Sequence, residues 1–529
     1  MKTVTSITAT LDGWSKHIDQ PSYLSFTVHF VKNGIFKSRI LRISDEYQSH
    51  ESLYITEFIN DVIDEFGLRK FEKFPIITDN AYNVLKAVED AGMIVVGDPC
   101  HRFNLSIEYC LDKCEIYKKL VDKCEMITVR IKRSKEWKNN LNNIQKLIYG
   151  TTLDPKTFVK TRWYSSNSML RRMYQISNEY NGMIEAIAES LEISEKKAFI
   201  EEYSISNEER EMIYFFIKTI DLVITKCKKL ESETTSSMSY IIPLYRILLK
   251  ELEELKNKIV MSEKCGCIRR NKISTITSEY DGFSELELSG ASLNSIISCE
   301  ENNILFNIST EKINFVNCLI EGLKEKFESN NNILDNETLV IAMILNPHFK
   351  FDFLYGDEME RWKKRIEEIW KEEDDEKEQN ELNQNTNRTF GITSMFSDQS
   401  SQIVTRSETN VEVDEFKFSK ELGREQRSEE IDEIKCYIKE GCEEELTYEE
   451  MMLFWSIHKK YKRLFHMSKR YLSYIASSTP SERLFSHASQ FLSPKRLNLS
   501  PRHLEELCIV HAWLNQEGSN AFEGLNFRK

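Results

Sequence analysis

The sequence predicts an α+β protein in which a mixed β-sheet, with helices on both of its faces, is followed by a long helical region. Three strand-like runs near the N-terminus, and an alternation of helix and strand patterns over residues 52–96, predict the sheet. The composition predicts the helices, because 17 Gly and 9 Pro among 529 residues are fewer than loop-rich folds use.

The first three strands form a predicted meander. Residues 4–14 are apolar and Thr-rich, and residues 23–31 alternate with period two, as a half-buried strand does. Asn33-Gly34 separates this run from a third one at residues 35–43. Asn-Gly between two such runs predicts a hairpin, because both turn residues need a positive φ.

Helix and strand patterns then alternate. Residues 52–66 place apolar side chains at helical spacing, and the pattern stops at Gly67. A short buried strand at 74–79, a helix at 80–90 and a strand at 93–96 follow. Right-handed crossovers would extend the meander into a mixed sheet. This order, βββαβαβ, is found in RNase H-like folds.

The rest of the chain divides by composition. Nearly everything from about residue 101 to 370 has a helical pattern, and residues 372–381 then hold seven acidic residues in ten. The polar segment that follows lacks periodicity and is interpreted as disordered. We therefore expect four parts: 1–163, the first part of an RNase H-like core; 164–370, a large all-α insertion domain that interrupts it; 371–430, an acidic and polar disordered linker; and 431–529, a C-terminal region that completes the core.

The net charge and the apolar pattern of the sequence limit the classes of partner that the protein can bind. A net charge of −14 argues against non-specific binding of nucleic acid by the chain as a whole. Residues 113–138 are an exception, with nine Lys and Arg against four acidic residues, and they include Trp137. This stretch is either a phosphate-facing surface or a solvated helix face. No apolar run approaches the ~20 residues of a membrane span, so we expect no membrane partner.

Three carboxylates are candidates for chemistry, and each has a simpler explanation. Asp12 would close a strand in an Asp-Gly turn, Asp79 would cap a helix, and Glu482 would complete a capping box. In an RNase H-like sheet, however, the first and fourth strands are neighbours, so Asp12 and Asp79 would lie side by side. Close carboxylates repel unless a cation lies between them, and a third carboxylate would complete a two-metal site.

At this point the sequence resembles the hAT (hobo and Activator) transposases and their BED-zinc-finger relatives. Six segments resemble family motifs, in the family's order and across nearly the whole chain. They are residues 10–15 (TLDGWS), 77–83 (ITDNAYN), 98–105 (DPCHRFNL), 161–166 (TRWYSS), 342–350 (AMILNPHFK, with Asn346 and His348 where Asp and Arg are usual), and the C-terminal motifs at 454–455, 471–472, 477–486 and 495–501.

The resemblance implies roles for particular residues. Asp12, Asp79 and Glu482 correspond to the acidic triad of the family, with Mg²⁺ or Mn²⁺ as the expected metal. His101 is implied to lie near the site, and Arg162 and Trp163 to contact DNA, the Trp by stacking on a flipped base. The C-terminal region is implied to form homodimers or larger assemblies, and the location to be the nucleus.

Zinc is not expected. A BED finger needs Cys and His pairs, and the stretch before Asp12 leaves no room for them. Cys265-Gly266-Cys267 has the wrong spacing for a zinc knuckle, and the group formed by Cys100, His101, Cys110 and Cys114 is interpreted as core thiols. We therefore expect no structural zinc in this chain.

Three hypotheses follow. The first is a hAT transposase-like protein with a metal-dependent site for DNA cleavage and strand transfer. The second is a domesticated or truncated relic that acts in the nucleus as an interaction and dimerisation module without catalysis. The third, an unrelated RNase H-like ribonuclease, does not account for the C-terminal motifs.

Overall fold

The computed structural model describes residues 4–15, 22–44, 52–159, 164–264, 305–329, 332–393, 433–491 and 500–517. The chain divides into two compact units. The first unit is Met1–Val340 together with Tyr474–Lys529, and the second is Ile341–Ser473. These boundaries differ from those predicted from composition, since the predicted region 431–529 contributes to both units.

The first unit contains a five-stranded mixed sheet, which confirms the predicted α+β class. Its strands are β1 (Thr8–Ser15), β2 (Ser22–Lys32), β3 (Ile35–Ser44), β4 (Pro75–Thr78) and β5 (Ile94–Gly97). The strand order is β3-β2-β1-β4-β5. The first three strands are antiparallel neighbours, whereas β4 runs parallel to β1 and β5 runs parallel to β4.

The hairpin between β2 and β3 turns where the sequence predicts it. Asn33 and Gly34 have φ values of 55° and 77°. Glycine adopts this left-handed region freely, and Asn tolerates it better than most residues do. The local turn chemistry therefore sets the register of β2 against β3.

The sheet has one apolar and one polar face. Ala9, Leu11, Phe26 and Val28 on the apolar face pack against α1 (Ser52–Glu65) and α2 (Tyr82–Asp90). On the opposite face, five polar side chains are each at most 3% exposed: Thr8, Thr10, Ser25, Thr27 and His29. Buried polar groups are normally hydrogen-bonded, so this face calls for a physical explanation.

Helices follow the sheet along the chain. In the first unit they are α3 (Pro99–Lys113), α4 (Glu115–Arg133), α5 (Lys135–Tyr149), α6 (Ser165–Ala188), α7 (Ile193–Tyr203), α8 (Asn207–Leu230), α9 (Ile241–Lys264) and α10 (Leu305–Lys324). Next comes α11 (Glu337–Leu345), and the second unit continues with α12 (Asp357–Thr393), α13 (433–439), α14 (Tyr448–Ile457) and α15 (Lys462–Tyr471). None of the helices in the described ranges is both long and apolar enough to cross a membrane.

Two C-terminal helices belong to the first unit, α16 (Thr479–Phe491) and α17 (Pro501–Glu517). Phe485 of α16 and Leu504 of α17 pack with Tyr23 and Ile43, on the side of the sheet opposite α1 and α2. Helices therefore cover both faces of the sheet, as the sequence predicts.

One expectation needs correction. The linker was predicted to be disordered from residue 371, but α12 is helical through Thr393. Glu, Lys and Gln are good helix formers, so an acidic and polar composition does not by itself end the helix. The remainder of the predicted linker, from residue 394, lies outside the described residues.

Candidate functional site

The strands that carry the first two predicted acids are neighbours. In the parallel register of β1 and β4, Thr10 pairs with Ile77 and Leu11 pairs with Thr78. Asp12 and Asp79 are the next residues of the two strands. Adjacent strands lie about 4.8 Å apart, so both carboxylates are carried at the same end of the sheet.

The third predicted acid lies in the first turn of α16. Ser481, which precedes Glu482, is fully buried and its Oγ is hydrogen-bonded to Thr10 Oγ1 at 2.9 Å. The backbone N–H of Glu482 donates to the carbonyl of Ser478. Thr10 and Asp12 are two residues apart on β1 and so share one face of the sheet. The turn that carries Glu482 therefore contacts the face on which Asp12 lies.

Asp98 holds this turn in place, a role that the sequence analysis missed. Its Oδ1 accepts from the amides of Cys100 and His101, which caps α3. Its Oδ2 accepts from the Ser478 amide at 2.6 Å, from Ser478 Oγ at 2.7 Å and from Ser477 Oγ at 3.0 Å. The Asp98 amide in turn donates to the carbonyl of Thr78. Asp98 thus ties the end of β4, through its amide, to the segment that leads into α16, through its buried carboxylate.

The sequence contained a signal for only half of this role. Asp followed by Pro at a helix start is a capping pattern, and it points to the bonds with α3. Nothing local to Asp98 points to Ser477 and Ser478, which are some 380 residues further along the chain.

The Asp12 carboxyl is in an environment that disfavours its charge. Burial raises its pKa well above the usual range, and the negative charges of Glu482, Asp79 and Asp98 raise it further. A hydrogen bond from the Gly13 amide acts in the opposite direction. Asp12 therefore interacts electrostatically with both other members of the predicted triad, Asp79 and Glu482.

Glu482 shows the same excess of negative charge. Burial raises its pKa to about 7, the charges of Asp98 and Glu231 add to the shift, and Arg483 opposes it. Glu231, at the end of α8, also has a raised pKa, first through burial. No sequence pattern points to Glu231, because it follows an ordinary amphipathic helix and is distant from the other acids along the chain.

The donor set suits a hard divalent cation, but the side chains do not form a finished shell. Within the described ranges, no three His, Cys, Asp or Glu side chains are grouped so that they could hold a metal ion. Carboxylate oxygens are nevertheless the donors that Mg²⁺ and Mn²⁺ prefer. The raised pKa values of Asp12 and Glu482 mark negative charge that a cation would neutralise.

The predicted DNA contacts are only partly described. His101 lies half-buried in the first turn of α3, three residues after the Asp98 cap. Arg162 and Trp163 lie outside the described residues, as do Cys265 and Cys267. Val159 and Ser165, on either side of the segment with Arg162 and Trp163, are hydrogen-bonded to each other through Ser165 Oγ.

The basic stretch at residues 113–138 forms α4 and the start of α5. Trp137 is only 6% exposed and packs against Tyr180 and Tyr203, and the Arg130 guanidinium lies 4.7 Å from its ring centroid. Trp137 is therefore a core residue rather than an exposed stacking platform.

The 342–350 motif has a structural role in the second unit. The Lys350 ammonium is buried, donates to the carbonyls of Tyr437 and Glu440, and lies 4.5 Å from the Tyr437 ring centroid. These carbonyls are at and just beyond the end of α13, where a positive charge is favourable. His348 Nδ1 is hydrogen-bonded to the Glu443 carbonyl. The motif thus fastens α11 to α13.

The last helix buries one side and exposes apolar residues on another. Leu504 and Cys508 of α17 are buried against the sheet. Leu507, Val510 and Leu514 are 37%, 43% and 40% exposed, and their spacing places them along one stripe of the helix. Leu504 and Cys508 therefore belong to the core, and Leu507, Val510 and Leu514 form a separate exposed stripe.

These features define an α+β protein with an acidic cluster at one end of a mixed sheet and an exposed apolar stripe on its last helix. Residues 433–514 match the family model of the hAT family C-terminal dimerisation region. The match covers this C-terminal segment, which is therefore similar to the dimerisation region of that family. No curated protein matches the chain.

Proposed function

We propose that this is a hAT transposase-like protein that binds DNA in the nucleus, and that Asp12, Asp79 and Glu482 form a divalent-metal site for DNA cleavage and strand transfer. The main support for the proposal is the parallel register of β1 and β4, which places Asp12 and Asp79 at the same end of the sheet. The family match at residues 433–514 and the order βββαβαβ support an RNase H-like core.

The electrostatics favour a cation at this place. The negative charges of Glu482 and Asp79 add to the effect of burial and raise the pKa of Asp12. A cation between the three carboxylates would replace this repulsion with attraction. In a two-metal site, one Mg²⁺ or Mn²⁺ ion would lower the pKa of an attacking water or hydroxyl, and the other would stabilise the leaving 3′ oxygen of DNA.

The chain's own residues have separable roles in this proposal. Asp12 and Asp79 hold the cation from the ends of adjacent strands, and Glu482 holds it from the first turn of α16. Asp98 is not a ligand, because both of its oxygens are occupied by hydrogen bonds. His101, Arg162 and Trp163 are proposed to contact the DNA.

Metal binding tests the proposal. Titration of the chelator-treated protein with Mn²⁺ is expected to stabilise the wild type by about 2.7 kcal/mol at roughly 100 times the dissociation constant. The Asp79→Asn variant is expected to lose most of this gain in a thermal shift assay. Mn²⁺-dependent nicking of DNA should be lost in the same variant.

Asp61→Asn is the matched control, because Asp61 is an exposed aspartate on α1. It should respond to Mn²⁺ as the wild type does. If Mn²⁺ stabilises Asp79→Asn as much as the wild type, or stabilises neither, the metal site is refuted. The remaining function is then the relic hypothesis, a dimerisation module without catalysis.

We further propose that two copies of this chain associate through the apolar stripe of α17, formed by Leu507, Val510 and Leu514. The stripe lies within the matched dimerisation region, and exposed apolar stripes of this kind are costly unless a partner covers them. The occupant that the family match supports is a second copy.

The Leu507→Glu/Leu514→Glu double variant is expected to be monomeric where the wild type is dimeric, because two charges would have to be buried in the interface. Size-exclusion chromatography with light scattering measures this. Ile193→Glu is the control, since Ile193 is 92% exposed on α7, outside the matched region. A double variant that stays dimeric would move the interface elsewhere.

A further inference from the structure

A chain of hydrogen bonds crosses the polar face of the sheet and begins and ends on the turn that carries Glu482. We refer to it as the polar chain. Its members, in order, are Ser481, Thr10, His29, Ser38, Glu233 and Arg483. Ser481 and Arg483 are the two residues that flank Glu482, so both ends of the polar chain attach to the same turn of α16.

The distances make the path continuous. Ser481 Oγ lies 2.9 Å from Thr10 Oγ1, which lies 3.0 Å from His29 Nε2. His29 Nδ1 lies 2.7 Å from Ser38 Oγ. The Ser38 hydroxyl donates to Glu233 Oε2 at 3.1 Å, and Arg483 donates to the other oxygen of Glu233. The path therefore crosses β1, β2 and β3.

The direction of every bond along the strands follows from two facts. The Ser38 hydroxyl proton is used on Glu233, so Ser38 Oγ must accept from His29 Nδ1–H. Burial lowers the pKa of His29 to about 3, so the ring is neutral and Nε2 is an acceptor. Thr10 must then donate to Nε2, which leaves Thr10 Oγ1 to accept from Ser481. All donors point one way from Ser481 to Glu233, an arrangement in which neighbouring bonds strengthen one another.

We propose that His29 is a positioning residue, which as the neutral Nδ1–H tautomer links Ser481 to Glu233 and thereby holds the Glu482 turn on the end of the sheet. This accounts for a buried polar face that an ordinary core would not need. The consequence for metal binding rests on the proposed function, but the hydrogen-bond chain itself does not.

The sheet offers a matched pair of substitutions. Thr8 and Thr10 are both fully buried on the same face of β1, but among the described residues Thr8 Oγ1 has no hydrogen-bond partner. Thr10→Val breaks the polar chain at its second member, Thr8→Val removes a hydroxyl outside it, and Thr10→Ser keeps the hydroxyl. Ser481→Ala removes the first donor of the polar chain, which lies on α16. This variant tests the same link if Thr10→Val does not fold.

Hydrogen exchange of residues 478–491 is the first readout. Thr10→Val and Ser481→Ala are expected to raise the exchange rate there about tenfold, whereas Thr8→Val and Thr10→Ser stay at the wild-type rate. Unchanged exchange in Thr10→Val overturns the proposal. An equal increase in Thr8→Val also overturns it, because the loss of any buried hydroxyl would then suffice.

The second readout is which ring nitrogen of His29 carries the proton. A role of His29 in packing alone would not determine this. In protein labelled with ¹⁵N-histidine, the His29 signal, assigned by its loss in His29→Gln, is expected to show protonated Nδ1 at pH 7 and pH 5. Thr10→Val should keep Nδ1 protonated, because Ser38 still accepts from it, but should shift the Nε2 resonance, because Nε2 loses its hydrogen-bond donor. An Nε2–H signal in the wild type contradicts the proposal.

Mn²⁺ affinity separates the two proposals. If the wild type binds Mn²⁺, Thr10→Val should bind it several-fold more weakly and Thr8→Val equally well. If the wild type does not bind Mn²⁺, the proposed function fails, while the exchange and histidine readouts still decide whether His29 positions the turn.

Discussion

We expect the Asp98→Ala variant to have a free energy of unfolding about 3–5 kcal/mol lower than that of the wild type. The substitution removes a buried carboxylate that accepts five hydrogen bonds, from two amides of α3 and from three donors of Ser477 and Ser478. A buried donor that loses its acceptor costs about 1–3 kcal/mol. Urea denaturation followed by circular dichroism measures the loss.

Asp98→Asn separates the two halves of this role. Its one remaining carboxamide oxygen keeps the cap of α3, but the –NH₂ group cannot accept from Ser477 and Ser478. We expect an intermediate loss of stability, with increased proteolysis confined to the segment before α16. Asp90→Ala, at an exposed aspartate that ends α2, should change the stability by no more than about 0.5 kcal/mol. A loss in Asp98→Ala as small as that of the control would show that other contacts hold the segment.

The parts of the fold that depend on local chemistry could be predicted from the sequence. Alternation with period two and the Asn33-Gly34 turn determine β2 and β3, and apolar spacing determines α1 to within a residue of the observed helix. The neighbouring position of β1 and β4 was expected because the element order βββαβαβ is found in RNase H-like folds, in which the first and fourth strands are neighbours. Asp12 and Asp79 could therefore be placed together without coordinates.

The contacts that fasten Glu482 could not be predicted, because they join distant parts of the chain. Thr10 meets Ser481 across 471 positions, and Arg483 meets Glu233 across 250. Burial is also a tertiary property. Burial makes Trp137, a member of the basic stretch at residues 113–138, part of an aromatic core. It also keeps His29 neutral in a strand whose pattern predicted only alternation.

The metal-free protein is expected to lose stability as the pH rises from 5 to 8, and Glu482→Gln is expected to remove part of that loss. The pKa of Glu482 is raised from 4.5 to about 7. The folded state therefore binds the proton more tightly than the unfolded chain does. Its contribution is fully present below pH 4.5 and is lost as the pH rises through about 7. Because the side chain is partly exposed, we expect Glu482→Gln to be more stable than the wild type at pH 8 by about 1–2 kcal/mol, and equally stable below pH 4.5.

Denaturation curves at pH 4, 6 and 8 in a chelator measure this difference, with Glu506→Gln, at an exposed position on α17, as the matched control. If the free energy of unfolding depends on pH in the same way in wild type and Glu482→Gln, ionisation of the Glu482 carboxyl does not destabilise the fold. The expected result has a functional meaning, because a side chain that destabilises the fold near neutral pH has no structural reason to be acidic. A cation that binds Asp12, Asp79 and Glu482 would turn the same charge into a favourable interaction. Mn²⁺ should then stabilise the wild type most strongly at pH 8, and the gain over Glu482→Gln should be largest there.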